Sequence, residues 1–174
     1  MKIAIIGYSG SGKSTLAGFL GKVYRSPVLY MDTIQFEAGW KERDEEAAVK
    51  LVKDFLDSNN SWIVDGNYTK LLRERRMEEA DMIVYMNFSR ITCLLQAFIR
   101  YMRYKGKVRE SMAEGCDEKL DFEFLKWILR DGRSKAKKKQ YADTINKYRQ
   151  KVVILKNRRE TEIFCNRFKK LPAA

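Results

Sequence analysis

The residues best suited to chemistry in this chain form one short run. Gly7, Gly10 and Gly12 are set around Tyr8, Ser9 and Ser11, and Lys13, Ser14 and Thr15 follow at once. The pattern is GxxxxGKS, placed directly after the apolar run Ile3-Ala4-Ile5-Ile6. A strand, a glycine-rich loop and a helix in that order make a phosphate cradle, the P-loop. Its glycines let backbone N–H groups turn inward around phosphate oxygens, and Lys13 adds a charge that reaches the β- and γ-phosphates. The N-terminus of the following helix adds a favourable dipole. ATP is therefore the expected cofactor, with Gly7, Ser9, Gly10, Ser11, Gly12, Lys13, Ser14 and Thr15 around it. Ser14 is also expected to coordinate magnesium, the hydroxyl role in such loops.

Transfer of a phosphoryl group is mostly positioning and charge neutralisation, so few further parts are required. A carboxylate near the metal is one, and Asp65 closes the apolar strand Trp62-Ile63-Val64, where a magnesium-holding carboxylate is expected. Asp32 closes a second strand and is a candidate for meeting an acceptor hydroxyl as base or orienter. Phe36, Trp40 and Tyr68 could stack on an acceptor ring. Arg100, Arg103 and Arg109 could deliver cations to phosphates when a segment closes over the site. The chain has no histidine, so His bases, His-activated nucleophiles and His metal ligands are excluded.

These residues need a frame that brings them together. Apolar strands are read at Lys2 to Ile6, Pro27 to Met31, Trp62 to Val64, Met82 to Met86 and Val152 to Leu155. Helical spacing is read at Lys13 to Lys22, Asp44 to Leu56, Thr69 to Met77, Ile91 to Tyr104, Phe122 to Arg130 and Glu160 to Phe168. Alternation of this kind predicts right-handed crossovers and a parallel sheet covered on both faces. Ligands of such sheets lie at the carboxyl ends of the strands, where Gly7, Asp32 and Asp65 all fall.

The 174 residues suffice for one core. One α/β domain over 1–174 is expected, with an acceptor-side region at about 33–60 and a lid at about 104–121. No cleavable leader and no spanning apolar run is visible, and the expectation is a soluble, cytoplasmic protein without a membrane partner. Cys93, Cys116 and Cys165 are widely spaced and suggest neither a disulfide framework nor a zinc site. A formal charge of +12 points to polyanionic partners. The run Arg133, Lys135, Lys137, Lys138, Lys139 is read first as a solvated helix face and second as a nucleic-acid contact.

Five segments carry a family resemblance: IIGYSGSGKSTLA at Ile5 to Ala17, MDTIQFEAGWKERD at Met31 to Asp44, WIVDGNY at Trp62 to Tyr68, NFSR at Asn87 to Arg90, and MAEGCDEK at Met112 to Lys119. The chain resembles the DNA topology modulation proteins (the FlaR-related group), themselves similar to adenylate kinases and other small P-loop kinases. The resemblance implies a three-layer P-loop fold with a five-stranded parallel sheet ordered 2-3-1-4-5, helices on both faces and a helical lid bearing arginines. It implies that Asn157 and Arg158 lie near the nucleotide base, and that Gly66, Asn67 and Tyr68 form the acceptor-side turn after Asp65. Adenylate kinases continue that turn with Phe-Pro-Arg, whereas this chain has Asn67-Tyr68-Thr69, so the arginine expected for an AMP-type acceptor is missing.

Two functions follow as expectations. The first is an ATP- and magnesium-dependent phosphotransferase acting on a small acceptor that the sequence leaves unidentified. The second is a nucleotide-binding regulator of DNA topology that holds nucleic acid through its basic surface.

Overall fold

Four consecutive β1 residues, Ile3, Ala4, Ile5 and Ile6, are all at most 1% exposed. Successive residues of a strand point to opposite faces, so both faces of the sheet around it are covered. In this computed structural model, which describes residues 1–109 and 111–169, β1 (Lys2–Gly7) is the centre of a five-stranded parallel sheet. Its companions are β2 (Val28–Tyr30), β5 (Trp62–Asp65), β6 (Met82–Met86) and β7 (Val152–Leu155). The order is β2-β5-β1-β6-β7, which is 2-3-1-4-5 when these five strands alone are counted.

Helix α1 (Lys13–Tyr24) packs on β1, β2 and β5 through Leu16, Ala17, Leu20 and Gly21. Asp44 caps α3 (Glu45–Ser58), its carboxylate accepting from Ala47 N at 3.1 Å. The helix buries Ala48, Val52 and Leu56 at helical spacing. Beyond α4 (Arg73–Glu79) and β6 lie α5 (Arg90–Tyr104), α6 (Phe122–Leu129), α7 (Lys135–Lys147) and α8 (Arg158–Lys169).

The expected strands and helices are present, with ends shifted by a few residues. Four features go beyond the sequence reading. Met31 opens a short helix, α2 (Met31–Gln35), instead of ending β2. An antiparallel hairpin of β3 (Phe36–Glu37) and β4 (Lys41–Glu42) follows it. Both lie below the length at which a hydrophobic period can be read. The helix Thr69 to Met77 begins four residues later than expected, at Arg73. The basic run is also divided: Arg133 is 9% exposed and turned inward, while Lys135, Lys138 and Lys139 are exposed on α7.

Register decides what shares the active edge. Asp65 lies level with Ile5 on one side and Tyr30 on the other, and Gly7 lies level with Met86. Two residues past Asp65 and Tyr30 come Asn67 and Asp32, beside the loop that leaves β1.

Candidate functional site

The loop after β1 holds a conformation that needs its glycines. Gly7 has φ +146° and Gly10 φ +79°, and a Cβ on either would come 2.4 Å from a backbone oxygen, of Met86 and Cys93 respectively. Between them and α1, the Ser11 hydroxyl is buried without a hydrogen-bond partner. Lys13 Nζ donates to Tyr8 O at 3.3 Å, across the mouth of the loop. An enclosed, unsatisfied hydroxyl beside this lysine is the environment a phosphate group completes.

Three side chains from other elements hold the loop. Asn67 accepts from Gly7 N at 3.0 Å and donates to Gly7 O, so its amide serves as one more strand neighbour at the end of β1. Trp127 Nε1 donates to Ser9 Oγ at 3.1 Å. The Arg133 guanidinium sits 3.6 Å from the centre of the Tyr8 ring and donates to Phe88 O at 2.7 Å. Replacing Asn67 by Ala leaves both Gly7 backbone groups without that partner. The expected cost is about 1–3 kcal/mol in urea unfolding, with weaker nucleotide binding; an unchanged unfolding midpoint would contradict the clamp.

Ser14 Oγ donates to Asp65 Oδ2 at 2.6 Å. The other carboxylate oxygen, Oδ1, is buried with no partner. Burial pushes the Asp65 carboxyl up to about 6, against the pull of Lys13 and of the Ser14 hydroxyl. An orphaned carboxylate oxygen next to a hydroxyl fits magnesium, a hard cation that takes oxygen ligands and keeps several waters.

Two connected cavities adjoin the loop. One, of about 600 Å³, runs between α1 and α8 and is walled by Leu16, Phe19, Met86 and Phe88, with Gln96, Arg158 and Thr161 at its polar side. The other, of about 920 Å³, extends from Gly12, Ser14 and Thr15 along α1. Lys22, Arg100, Arg103, Arg109 and Arg158 line it, and among the described residues no acidic one does. Arg158 reaches both cavities. Asn157 instead caps α8, accepting from Glu160 N at 2.9 Å and donating to the Glu160 carboxylate.

On the acceptor side, Tyr68 OH donates to Asp32 Oδ1 at 2.7 Å. Burial and the nearby Asp32 raise the Tyr68 phenol, so it stays protonated. The turn itself is set from beneath by Arg76, fully buried, which donates to the carbonyls of Gly66, Tyr68 and Leu71. Trp40 packs on Phe36 with ring centres 5.3 Å apart and holds φ +67°, a conformation costly for a bulky residue. Contacts from the 105–121 segment fix it there: Trp40 N donates to Cys116 Sγ and Trp40 Nε1 to Asp117 O.

That segment also organises the arginines. Arg100 Nε donates to Glu118 Oε1 at 2.6 Å, and Arg109 Nε pairs with Glu118 Oε2 at 2.6 Å. Arg103 stays outside this pair, exposed at the rim of the larger cavity.

The geometry thus gathers Lys13, Ser14, Asp65, Asp32, Tyr68, Arg100 and Arg109 around one edge of the sheet. It turns the Asn67 side chain to the P-loop and the Asn157 side chain to the α8 cap. Sequence reasoning missed Gln96, Glu118, Arg76 and Arg133. Gln96, in the amide orientation assigned from its neighbours, donates to Gly10 O at 2.9 Å and accepts from Arg158 Nε at 3.3 Å. A polar residue interrupting an apolar helix was its signal in the sequence; Glu118, in an acidic stretch beside Asp117 and Asp121, carried none.

The sheet order and the cradle after β1 define the fold of a P-loop kinase. Shikimate kinase from Bacteroides thetaiotaomicron matches the chain with a TM-score of 0.52 and 17% sequence identity, covering 98% of this chain and 97% of that one. At this identity the likeness is one of fold. No protein-family model matches the sequence, and no curated protein matches it either. Among the described residues no helix is long and apolar enough to cross a membrane.

Proposed function

We propose that the protein is an ATP- and magnesium-dependent phosphotransferase acting on a small hydroxyl-bearing acceptor. The observation that carries this reading is the Ser14–Asp65 contact, with its orphaned oxygen, at the head of a cavity lined by five basic residues. The kinase-type fold supports it. In this reading the smaller cavity takes the base, and the loop N–H groups and Lys13 hold the phosphates. Ser14 and Asp65 would hold the magnesium ion, which when bound there would offset phosphate charge.

Asp32 and Tyr68 lie on the acceptor side. The acceptor oxygen forms a bond to the γ-phosphorus as the bond from that phosphorus to the β–γ bridging oxygen breaks, and ADP leaves. Asp32 accepts the acceptor's hydroxyl proton, and Arg100 and Arg109 face the charge that builds on the transferring group. Segment 104–121 serves as the lid, and its hold on Trp40 ties lid position to the acceptor side.

The test is ATP turnover against nucleosides, nucleotides and small hydroxyl compounds. Transfer that requires magnesium and is abolished in Lys13→Ala is expected. Lack of ATP binding, or full activity in Lys13→Ala, sinks the reading.

The resemblance to DNA topology modulation proteins and the exposed Lys135, Lys138 and Lys139 on α7 support a second reading as a nucleotide-regulated DNA binder. It loses Arg133, which is buried against the P-loop. Duplex binding that persists at physiological salt and fails when Lys135 and Lys137 to Lys139 are neutralised would favour it.

A further inference from the structure

Arg100 and Arg109 both line the larger cavity, yet they come from different elements, one from α5 and one from the loop beyond it. Two guanidiniums brought together repel each other and need a shared counter-charge to stay side by side. Glu118 supplies it. Its side chain is 2% exposed, and each of its oxygens lies 2.6 Å from the Nε of one arginine. We propose that Glu118 is a positioning residue whose buried carboxylate fixes Arg100 and Arg109 side by side as one cationic fork for the γ-phosphate. The proposal rests on the phosphotransferase reading above.

Three observations carry it. First, Arg100 Nε donates a hydrogen bond to Glu118 Oε1, while Arg109 Nε lies against Oε2 as an ion pair without hydrogen-bond geometry. Of the terminal nitrogens, Nη1 of Arg109 donates to Ser111 Oγ at 3.1 Å. Second, Glu118 is itself held in place. Two residues before it, the Cys116 thiol donates to Glu37 O at 3.2 Å and accepts from Trp40 N at 3.3 Å. Asp117 O accepts from Trp40 Nε1 at 3.2 Å. The carboxylate is thereby fixed to the β3–β4 hairpin on the acceptor side. Third, Glu118 is no rival for the phosphate. Displacing the arginines would leave a buried carboxylate unpaired, which is strongly unfavourable, so the pairs persist when ligand arrives. One negative charge against two positive ones leaves the fork net cationic.

Because the acceptor is unidentified, the test uses nucleotides alone. Affinities for ADP and for a non-hydrolysable ATP analogue are measured with magnesium by calorimetry, in wild type, Glu118→Gln, Glu118→Asp and Arg109→Lys. Wild type is expected to prefer the ATP analogue. Glu118→Gln should reduce that preference about 10-fold while ADP affinity stays within about twofold, since the fork meets only the γ-phosphate. Glu118→Asp, which keeps the charge, should retain part of the preference. It also serves as the readout should Glu118→Gln fail to fold. Adding Glu118→Gln to Arg109→Lys should cost much less than it does alone.

An unchanged preference in Glu118→Gln, or an equal loss for both nucleotides, overturns the proposal and leaves the phosphotransferase reading standing. Absence of nucleotide binding in wild type would remove both.

Discussion

Replacing Asp32 by Asn should lower kcat by roughly 10²- to 10⁴-fold, the range for losing a positioned general base. Asp32 lies in the first turn of α2, just beyond the carboxyl end of β2, and Tyr68 OH holds its Oδ1 at 2.7 Å. That bond selects one side-chain orientation and leaves Oδ2 to meet the acceptor. Asn keeps the size and the acceptor for Tyr68, so folding stability and nucleotide affinity should hold while the proton acceptor is lost. Tyr68→Phe removes only the orienting hydroxyl and should reduce kcat/KM several-fold. Steady-state kinetics with any acceptor found in the screen, together with thermal unfolding, separate these effects. Wild-type kcat in Asp32→Asn would remove Asp32 from the chemistry.

Asp32 and Asp65 were legible because each follows a short apolar run, half-buried in the edge strand β2 and fully buried in β5, and a carboxylate that follows such a run stands at the carboxyl edge. The P-loop was legible because its glycines answer to local backbone geometry, which spacing records. Asn67 was legible as part of the edge and not in its task. Only the pairing of β5 beside β1 sets it level with Gly7, and local sequence does not record which strands adjoin.

The arginines show the same boundary. Residue type places Arg76 and Arg133 on the surface, yet both are buried with their guanidiniums spent on backbone carbonyls, one beneath the acceptor turn and one behind the P-loop. Arg100 and Arg109 were marked by their position in a basic segment. Their partner Glu118 is 18 residues from one and 9 from the other, in a stretch with no regular period, so only the folded chain joins them. What sequence leaves unread here are long-range polar contacts, and these hold the carboxyl edge of the apolar frame in shape.

Asp65→Asn should raise the melting temperature at neutral pH without divalent ions, while abolishing the magnesium requirement's structural basis. Burial lifts the folded-state pKa of Asp65 to about 6, above the 3.8 of an exposed aspartate. Between those values the folded chain keeps a proton that the unfolded chain has released. Stability from this group is therefore full below about pH 4 and is lost as pH rises through about 6. A gap of this size is on the order of 3 kcal/mol. Asn carries no such charge, so the variant should lack this falling limb and melt higher at pH 7.5. A cation beside the ionised carboxylate restores the loss in wild type. Magnesium with an ATP analogue should accordingly stabilise wild type more than Asp65→Asn at pH 7.5. That advantage should shrink at pH 5, where a proton competes for the same oxygens. Thermal unfolding from pH 4.5 to 8, with and without magnesium and the analogue, reads all of this in one series. A variant that melts lower than wild type at pH 7.5, or that gains equally from magnesium, would show that Asp65 is a structural carboxylate instead of a cation ligand.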